Sequence, residues 1–358
     1  MFVPSGVMSV RDGRLYIEDC DAAGLANKYE TPAFVISEKQ LRDNARRIRT
    51  AFADLWPEGT VEIYSAFKAA PYIAVRKILS EEGLGCDTFG PSELEGAIRG
   101  GVDPAKISIN GSIKSREVIA HGIEIGSRVV IDAPGEVQIC REEAERLGNT
   151  ARIMLRLKPD LTSLPIESDF APMPVGDITQ RVRYGMPDGE ALDALRAVIE
   201  TPNLDLIGFH CHIGRQSTDL TLWAGLVENM VDLMINLCGR AGLKNWRPDH
   251  LDFGGGFAPP KDFDTDGPRT GDAAPPIEAY AEVMLPALRK RLTHHGLTGD
   301  GLVVEVEPGR CLHSDTGVHL TTVRNIKRDD GNQPIVWAEM DTSEQFLGTY
   351  AMDPTSRI

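Results

Sequence analysis

The feature that most constrains this chain is an alternation. Eight apolar, strand-like runs recur at 61–67, 84–88, 106–110, 127–131, 151–157, 205–212, 249–253 and 302–306, with helix-like runs separating nearly all of them. Eight β-α units over about 250 residues match a (β/α)8 barrel, whereas a doubly wound sheet more often has fewer strands. The expected fold class is therefore α/β, a TIM-type (β/α)8 barrel. The flanks read differently. Residues 1–38 form short strands with turns at Asp12-Gly13 and around Thr31-Pro32, and Ala33–Ser37 is a strand whose last residue caps a helix carrying Leu41, Ala45, Ile48 and Phe52. After Arg310, β-like runs at Val318–Val323 and Pro334–Glu339 enclose a turn at Asp330-Gly331. Three segments follow: 1–38, N-terminal strands; 39–309, the barrel; and 310–358, the start of a second, all-β domain. That last segment is too short to close alone, so the N-terminal strands are expected to join it. Two long loops, 159–182 and 258–277, follow barrel strands and either wall the site, meet a partner subunit or are plain surface insertions.

Composition narrows the partners. A net charge of −15 disfavours nucleic acid and anionic membranes, which need clustered Lys and Arg, and points to small molecules. No apolar run approaches the roughly 20 residues of a membrane span, and the first residues show neither a secretory nor a mitochondrial address. The expected location is the cytoplasm. Six scattered cysteines with no CxxC pair suit reduced thiols, with no disulfide and no zinc site.

Catalytic groups in such barrels sit at the C-terminal ends of strands. Those ends carry Lys68, Asp87, Arg156, His210 and His212, then Gly254-Gly255-Gly256, and finally Glu307-Pro308-Gly309-Arg310. Lys68 either caps its strand and snorkels to water, or, losing hydration, has the lowered pKa that Schiff-base chemistry needs. The three glycines leave backbone N–H groups uncovered for a phosphate, with Arg310 as a cation at the same corner, or they simply make a tight turn. His210 and His212 point to one face of their strand. No carboxylate or thiolate stands beside them at ligand spacing, and Cys211 points to the opposite face, which favours stacking or hydrogen bonding over metal binding. Glu307, desolvated at a strand end, needs a cationic partner; a protonated ring nitrogen would serve, as would a salt bridge to Arg310. An imine-forming lysine, a phosphate cradle, an imidazole and a buried carboxylate together describe a pyridoxal 5'-phosphate site.

Five motifs in order carry a family resemblance: Tyr64-Ser65-Ala66-Phe67-Lys68-Ala69, Gly83-Leu84-Gly85-Cys86-Asp87 with Glu93, His210-Cys211-His212-Ile213-Gly214-Arg215-Gln216, Gly254-Gly255-Gly256-Phe257, and Glu307-Pro308-Gly309-Arg310. From about residue 15 onward the chain resembles the fold-type III pyridoxal phosphate decarboxylases, the group of diaminopimelate, ornithine and arginine decarboxylases, and is nearest the diaminopimelate branch. The resemblance implies decarboxylation of an amino acid in a homodimer whose sites lie between subunits. It implies that Lys68 holds the cofactor as an internal aldimine, and that Glu307 keeps the pyridine nitrogen protonated so that a quinonoid forms as CO₂ leaves. By the same resemblance His212 stacks on the ring, Gly254, Gly255, Gly256, Pro308, Gly309 and Arg310 hold the phosphate, Asp87 and Arg156 buttress the cofactor, and Glu93 supports from behind.

Three departures stand out. Arg215 occupies a position that is usually serine. Phe346 aligns with the arginine that grips the distal carboxylate in the diaminopimelate branch, and Ala351, after Tyr350, with the aspartate of ornithine decarboxylases; Phe346 and Tyr350 are the expected substrate contacts. The family's Cys-Glu-Ser-x-Asp type motif does not occur before Ile358, so the resemblance implies either a truncated form or a chain that has lost that part. Two other readings remain open, a catalytically silent regulator of a decarboxylase and a racemase or epimerase using the same cofactor.

Overall fold

The computed structural model describes residues 6–166, 173–214, 217–259, 263–264, 267–268, 274–329 and 335–343. Eight parallel strands close into a barrel: β1 (Thr60–Ala66), β2 (Gly85–Thr88), β3 (Ile107–Ile109), β4 (Arg128–Ile131), β5 (Ala151–Arg156), β6 (Leu204–His210), β7 (His250–Asp252) and β8 (Val303–Val306). The pairing runs in sequence order, β8 meets β1, and every expected strand is present.

Alternation along each strand sorts the side chains. Ile107 and Ile109, Phe209 and Cys211, Leu251 and Phe253, and Val304 and Val306 are all buried, and the intervening positions carry the polar groups that meet one another inside the barrel. Each fully buried Leu or Ile contributes about 1.5–3 kcal/mol. The surrounding helices follow local rules. Ser115 Oγ accepts from Val118 N–H (3.4 Å) to start Arg116–Ile125, and Gly126, at φ 82°, ends it. Pro134 occupies the first turn of Pro134–Leu147, where its missing N–H is harmless.

A polar layer crosses the barrel interior. Arg128 of β4 is fully buried; its Nη1 lies 2.5 Å from the Glu305 carboxylate of β8 and its Nη2 3.1 Å from Asp252 of β7. The guanidinium sits 3.9 Å over the Tyr64 ring of β1, and His250 Nδ1 is 2.6 Å from Glu305. Burial would raise the Glu305 carboxyl, but Arg128 and His250 outweigh it and hold it below the ordinary range.

The chain divides into two compact units, one of residues 42–260 and 274–312, the other of 1–41, 261–273 and 313–358. In the second unit Met8–Arg11 and Arg14–Ile17 form a hairpin whose turn residues Asp12 and Gly13 have φ of 49° and 74°. Ala33–Ile36 pairs antiparallel with Gly317–Leu320, so the two chain ends share a sheet. Ser37 Oγ accepts from Gln40 N–H (3.0 Å) at the start of helix Glu38–Ala53.

Two expectations are corrected. The run Val318–Val323 is not one strand: it splits into Gly317–Leu320 and Val323–Asp329, the latter pairing with Ile335–Met340. Asp341 causes the break by accepting from Thr321 Oγ1 (2.8 Å) and Thr322 N–H (2.9 Å). Loop 159–182 contains a helix, Val175–Arg181, which Pro174 starts and which seats Gly176 on Leu161; an added Cβ there would lie 2.5 Å from the Leu161 carbonyl oxygen. Seven residues are too few for helical periodicity to show.

All six cysteines are free, and only Cys20 is exposed. Burial pushes the Cys86 and Cys140 thiols up to about 12 and Cys238 up to about 11. A thiol-specific chromogenic reagent at pH 8 is therefore expected to titrate one thiol rapidly and the other five only after denaturation; rapid reaction of two or more native thiols would contradict these positions.

Candidate active site

The strand ends converge on one hydrogen-bonded chain. Lys68, in the 3-10 turn Phe67–Ala69 that follows β1, places Nζ 3.3 Å from Asp87 Oδ2 of β2 and 4.2 Å from the centre of the Phe89 ring. Asp87 Oδ1 accepts from Asn110 Nδ2 at 2.7 Å, and the same Nδ2 donates to Glu307 Oε1, also at 2.7 Å. Glu307 Oε2 lies 3.3 Å from His210 Nε2 and 3.4 Å from His212 Nδ1. Lys68, Asp87, His210, His212 and Glu307 are thus brought together, and Glu307 is the acidic neighbour the linear sequence does not show beside the histidines.

The electrostatics differ from the expectation for Lys68. Burial lowers its pKa, but the Asp87 and Glu307 carboxylates outweigh that and the net direction is upward. Half of the side-chain surface (49%) is still open, so dehydration is incomplete while the carboxylates act at short range. Burial likewise raises the Glu307 carboxyl, yet His210 and His212 hold it well below the usual carboxylate range. Burial pushes His212 down, toward neutral imidazole. Its Nδ1 also lies 3.0 Å from Gly255 N–H, so the Gly255 amide and the Glu307 carboxylate meet at the same ring nitrogen.

The glycine turn is made by backbone crossing. Gly254 and Gly256 have φ of 68° and 93°. A Cβ on Gly255 would lie 1.9 Å from the Glu307 carbonyl oxygen, and one on Gly256 2.0 Å from that of Gly214. Two of the three N–H groups are used internally, Gly254 by Asp252 Oδ1 (2.8 Å) and Gly255 by His212, correcting the expectation of three open donors. Gly254 O accepts from Glu307 N–H (2.8 Å), which fixes the β8 exit, and Pro308 O accepts from Ala66 N–H (3.1 Å). Gly309 follows, 3.5 Å or less from Ala66 and Ala69 if given a Cβ, and Arg310 opens a one-turn helix to His313.

Arg156, buried at the end of β5, has Nε 3.6 Å from Asp132 Oδ1 and its guanidinium 5.1 Å from the Tyr184 ring centre. Glu93 accepts from Phe89 N–H (2.9 Å) and shapes the loop after β2. Arg215, Phe346 and Tyr350 lie outside the described residues. Sequence reasoning missed Asn110. Its one signal was a polar residue at the end of a short strand, which reads equally as the start of the Asn110-Gly111 turn.

The family model for the pyridoxal binding domain of pyridoxal-dependent decarboxylases matches residues 38–314. The chain belongs to the pyridoxal-dependent decarboxylase family. Diaminopimelate decarboxylase of Methanocaldococcus jannaschii is 29% identical over 331 residues, covering 91% of this chain and 71% of the relative. That of Zymomonas mobilis is 30% identical over 320 residues, covering 89% and 70%. The crystal structure of a diaminopimelate decarboxylase from M. jannaschii superposes with a TM-score of 0.81 at 26% identity, over 94% of this chain and 73% of that one. A co-complex of the M. jannaschii enzyme with L-lysine gives 0.79 over 92% and 72%.

This pyridoxal-dependent decarboxylase is an amino-acid decarboxylase with pyridoxal 5'-phosphate as its cofactor. Its residues fit that group. Asn110 Oδ1, Arg156 Nη1 and His210 Nδ1 are buried without a hydrogen-bond partner among the described residues, leaving polar atoms for a polar ligand at the barrel mouth. Lys68 supplies a primary amine and Glu307 an anion.

Proposed function

We propose that this decarboxylase acts on a diaminopimelate-like amino acid, using Lys68 to hold the cofactor and Glu307 to keep its ring nitrogen charged. The observation that carries this reading is the chain Lys68–Asp87–Asn110–Glu307, which puts a half-open amine and an ionised, buried carboxylate at the two ends of one path across the barrel mouth. Bound pyridoxal phosphate supplies an aldehyde for amines and a ring that accepts the electron pair left when a carboxylate departs as CO₂.

The protein's own groups do the rest. Asp87 orients the Lys68 ammonium and is the group nearest to take its proton. Glu307, held ionised, stabilises positive charge at the ring nitrogen. Neutral His212, pinned by Gly255 N–H, offers a flat face without repelling a cationic ring. Gly256 N–H, with Pro308, Gly309 and Arg310 alongside, forms the phosphate corner, and Arg156 and Asp87 support the cofactor's flanks. Arg215 is assigned to the same corner, and Phe346 and Tyr350 to the substrate. Because Phe346 replaces an arginine expected to hold a distal carboxylate, binding of a dicarboxylic substrate has to rest on other groups. The active form is proposed to be a homodimer working in the cytoplasm; among the described residues no helix is long and apolar enough to cross a membrane.

The test is CO₂ release from meso-diaminopimelate, L-lysine, L-ornithine and L-arginine by the cofactor-loaded protein. Release from meso-diaminopimelate at least about tenfold above the others is expected. Deuterium exchange at the α-carbon without CO₂ from any of them would overturn the reading in favour of a racemase.

A further inference from the structure

Asn110 stands just past the end of β3, held to β2 by its own N–H donating to Thr88 O at 2.8 Å, and it is 1% exposed. Its Nδ2 carries two hydrogens and faces two carboxylates, Asp87 and Glu307, each at 2.7 Å. The opposite amide orientation would set a carbonyl oxygen against both anions, so the hydrogen bonds fix which atom is nitrogen. We propose that Asn110 is a positioning residue for decarboxylation: its amide spaces the Asp87 and Glu307 carboxylates and keeps Glu307 ionised and aimed at the barrel mouth. The inference rests on the reading that Glu307 partners the cofactor's ring nitrogen.

The charges around Glu307 show why a neutral double donor is needed. Cationic or ionisable donors reach it from β1 (Lys68) and β6 (His210, His212), and Arg156 lies at the end of β5. Against these stand Asp87 on β2, Asp252 on β7 and Glu305 on β8, with the Cys211 thiol also nearby. Burial, Glu307 and Glu305 drive the Asp252 carboxyl well up, so this neighbourhood already resists one more negative charge. Asparagine satisfies two carboxylates without adding charge. Aspartate, of the same shape, adds a third anion and removes both donors.

The experiment compares wild type, Asn110→Asp, Asn110→Ser and Glu307→Gln as full-length proteins. With cofactor bound, the acidic limb of the kcat/KM profile is expected to move up by about one pH unit or more in Asn110→Asp, and less in Asn110→Ser, whose single hydroxyl can serve one carboxylate. Without cofactor, NMR titration of the Glu307 side-chain carboxyl carbon is expected to move to higher pH in both variants, more in Asn110→Asp than in Asn110→Ser. An unmoved acidic limb together with an unmoved Glu307 titration, even with a lower kcat, would overturn the proposal and leave Asn110 a packing residue. If Asn110→Asp does not fold, Asn110→Ser carries both readouts. Glu307→Gln separates the two levels: full activity there refutes the reading of Glu307 itself, whereas an inactive Glu307→Gln beside wild-type-like Asn110 variants refutes only the role of Asn110.

Discussion

Lys68→Ala is expected to lower CO₂ release by on the order of 10⁴-fold or more, the upper end of what one positioned group contributes, and to change the visible absorption of the bound cofactor. Lys68→Arg gives the sharper comparison. It retains a cation beside Asp87 and over Phe89 but has no amine able to form a Schiff base, so its stability should stay close to wild type while its activity falls with that of Lys68→Ala. Activity retained by Lys68→Arg would refute covalent attachment at this position. The raised pKa of Lys68 adds a pH dependence. The reacting form is the neutral amine, and a raised pKa makes that form scarcer at neutral pH. Cofactor loading of the ligand-free protein should therefore accelerate by about tenfold per pH unit between pH 7 and 9 in stopped-flow absorbance. A rate independent of pH would mean that Asp87 and Glu307 do not hold the ammonium as the geometry implies.

The second large effect concerns stability. Arg128→Met should cost about 3–5 kcal/mol, because it leaves Glu305 buried with His250 as its remaining partner and Asp252 without its guanidinium. The double variant Arg128→Met/Glu305→Met should recover much of the loss, since removing both charges avoids stranding one. The pH dependence has a definite sign. Glu305 has a depressed folded-state pKa, so its contribution is present above the unfolded value and fades as pH falls through the folded one. The gap between wild type and Arg128→Met in urea midpoints should therefore be widest near pH 7 and should narrow below about pH 4. A gap that widens on acidification would refute this account of the polar layer.

These two residues also show what the linear sequence discloses. All eight strands were legible because buried parallel strands are short, apolar and separated by helical spacing, and the strand ends then pointed to Lys68, Asp87, His212 and Glu307. Arg128 was not legible. A lone arginine inside Ser127-Arg128-Val129-Val130 reads as a surface position until two carboxylates more than a hundred residues away fold against it. The direction of the Lys68 shift is hidden from the sequence for the same reason: desolvation is a property of the strand, but Asp87 lies nineteen residues further on and its distance is set by barrel closure. Asn110 joins two groups 23 and 197 positions away, and no local spacing encodes such a bridge.

The glycine turn after β7 carries an evolutionary consequence. Gly254, Gly255 and Gly256 are squeezed between the backbones of residues 211–214 and Glu307, where a single methyl group would overlap a carbonyl oxygen at each of the three positions. No sequence of single substitutions can reshape that corner without displacing the strand exits beside it. Changes in the pocket are reached more easily through the loops after the other strands than through this turn.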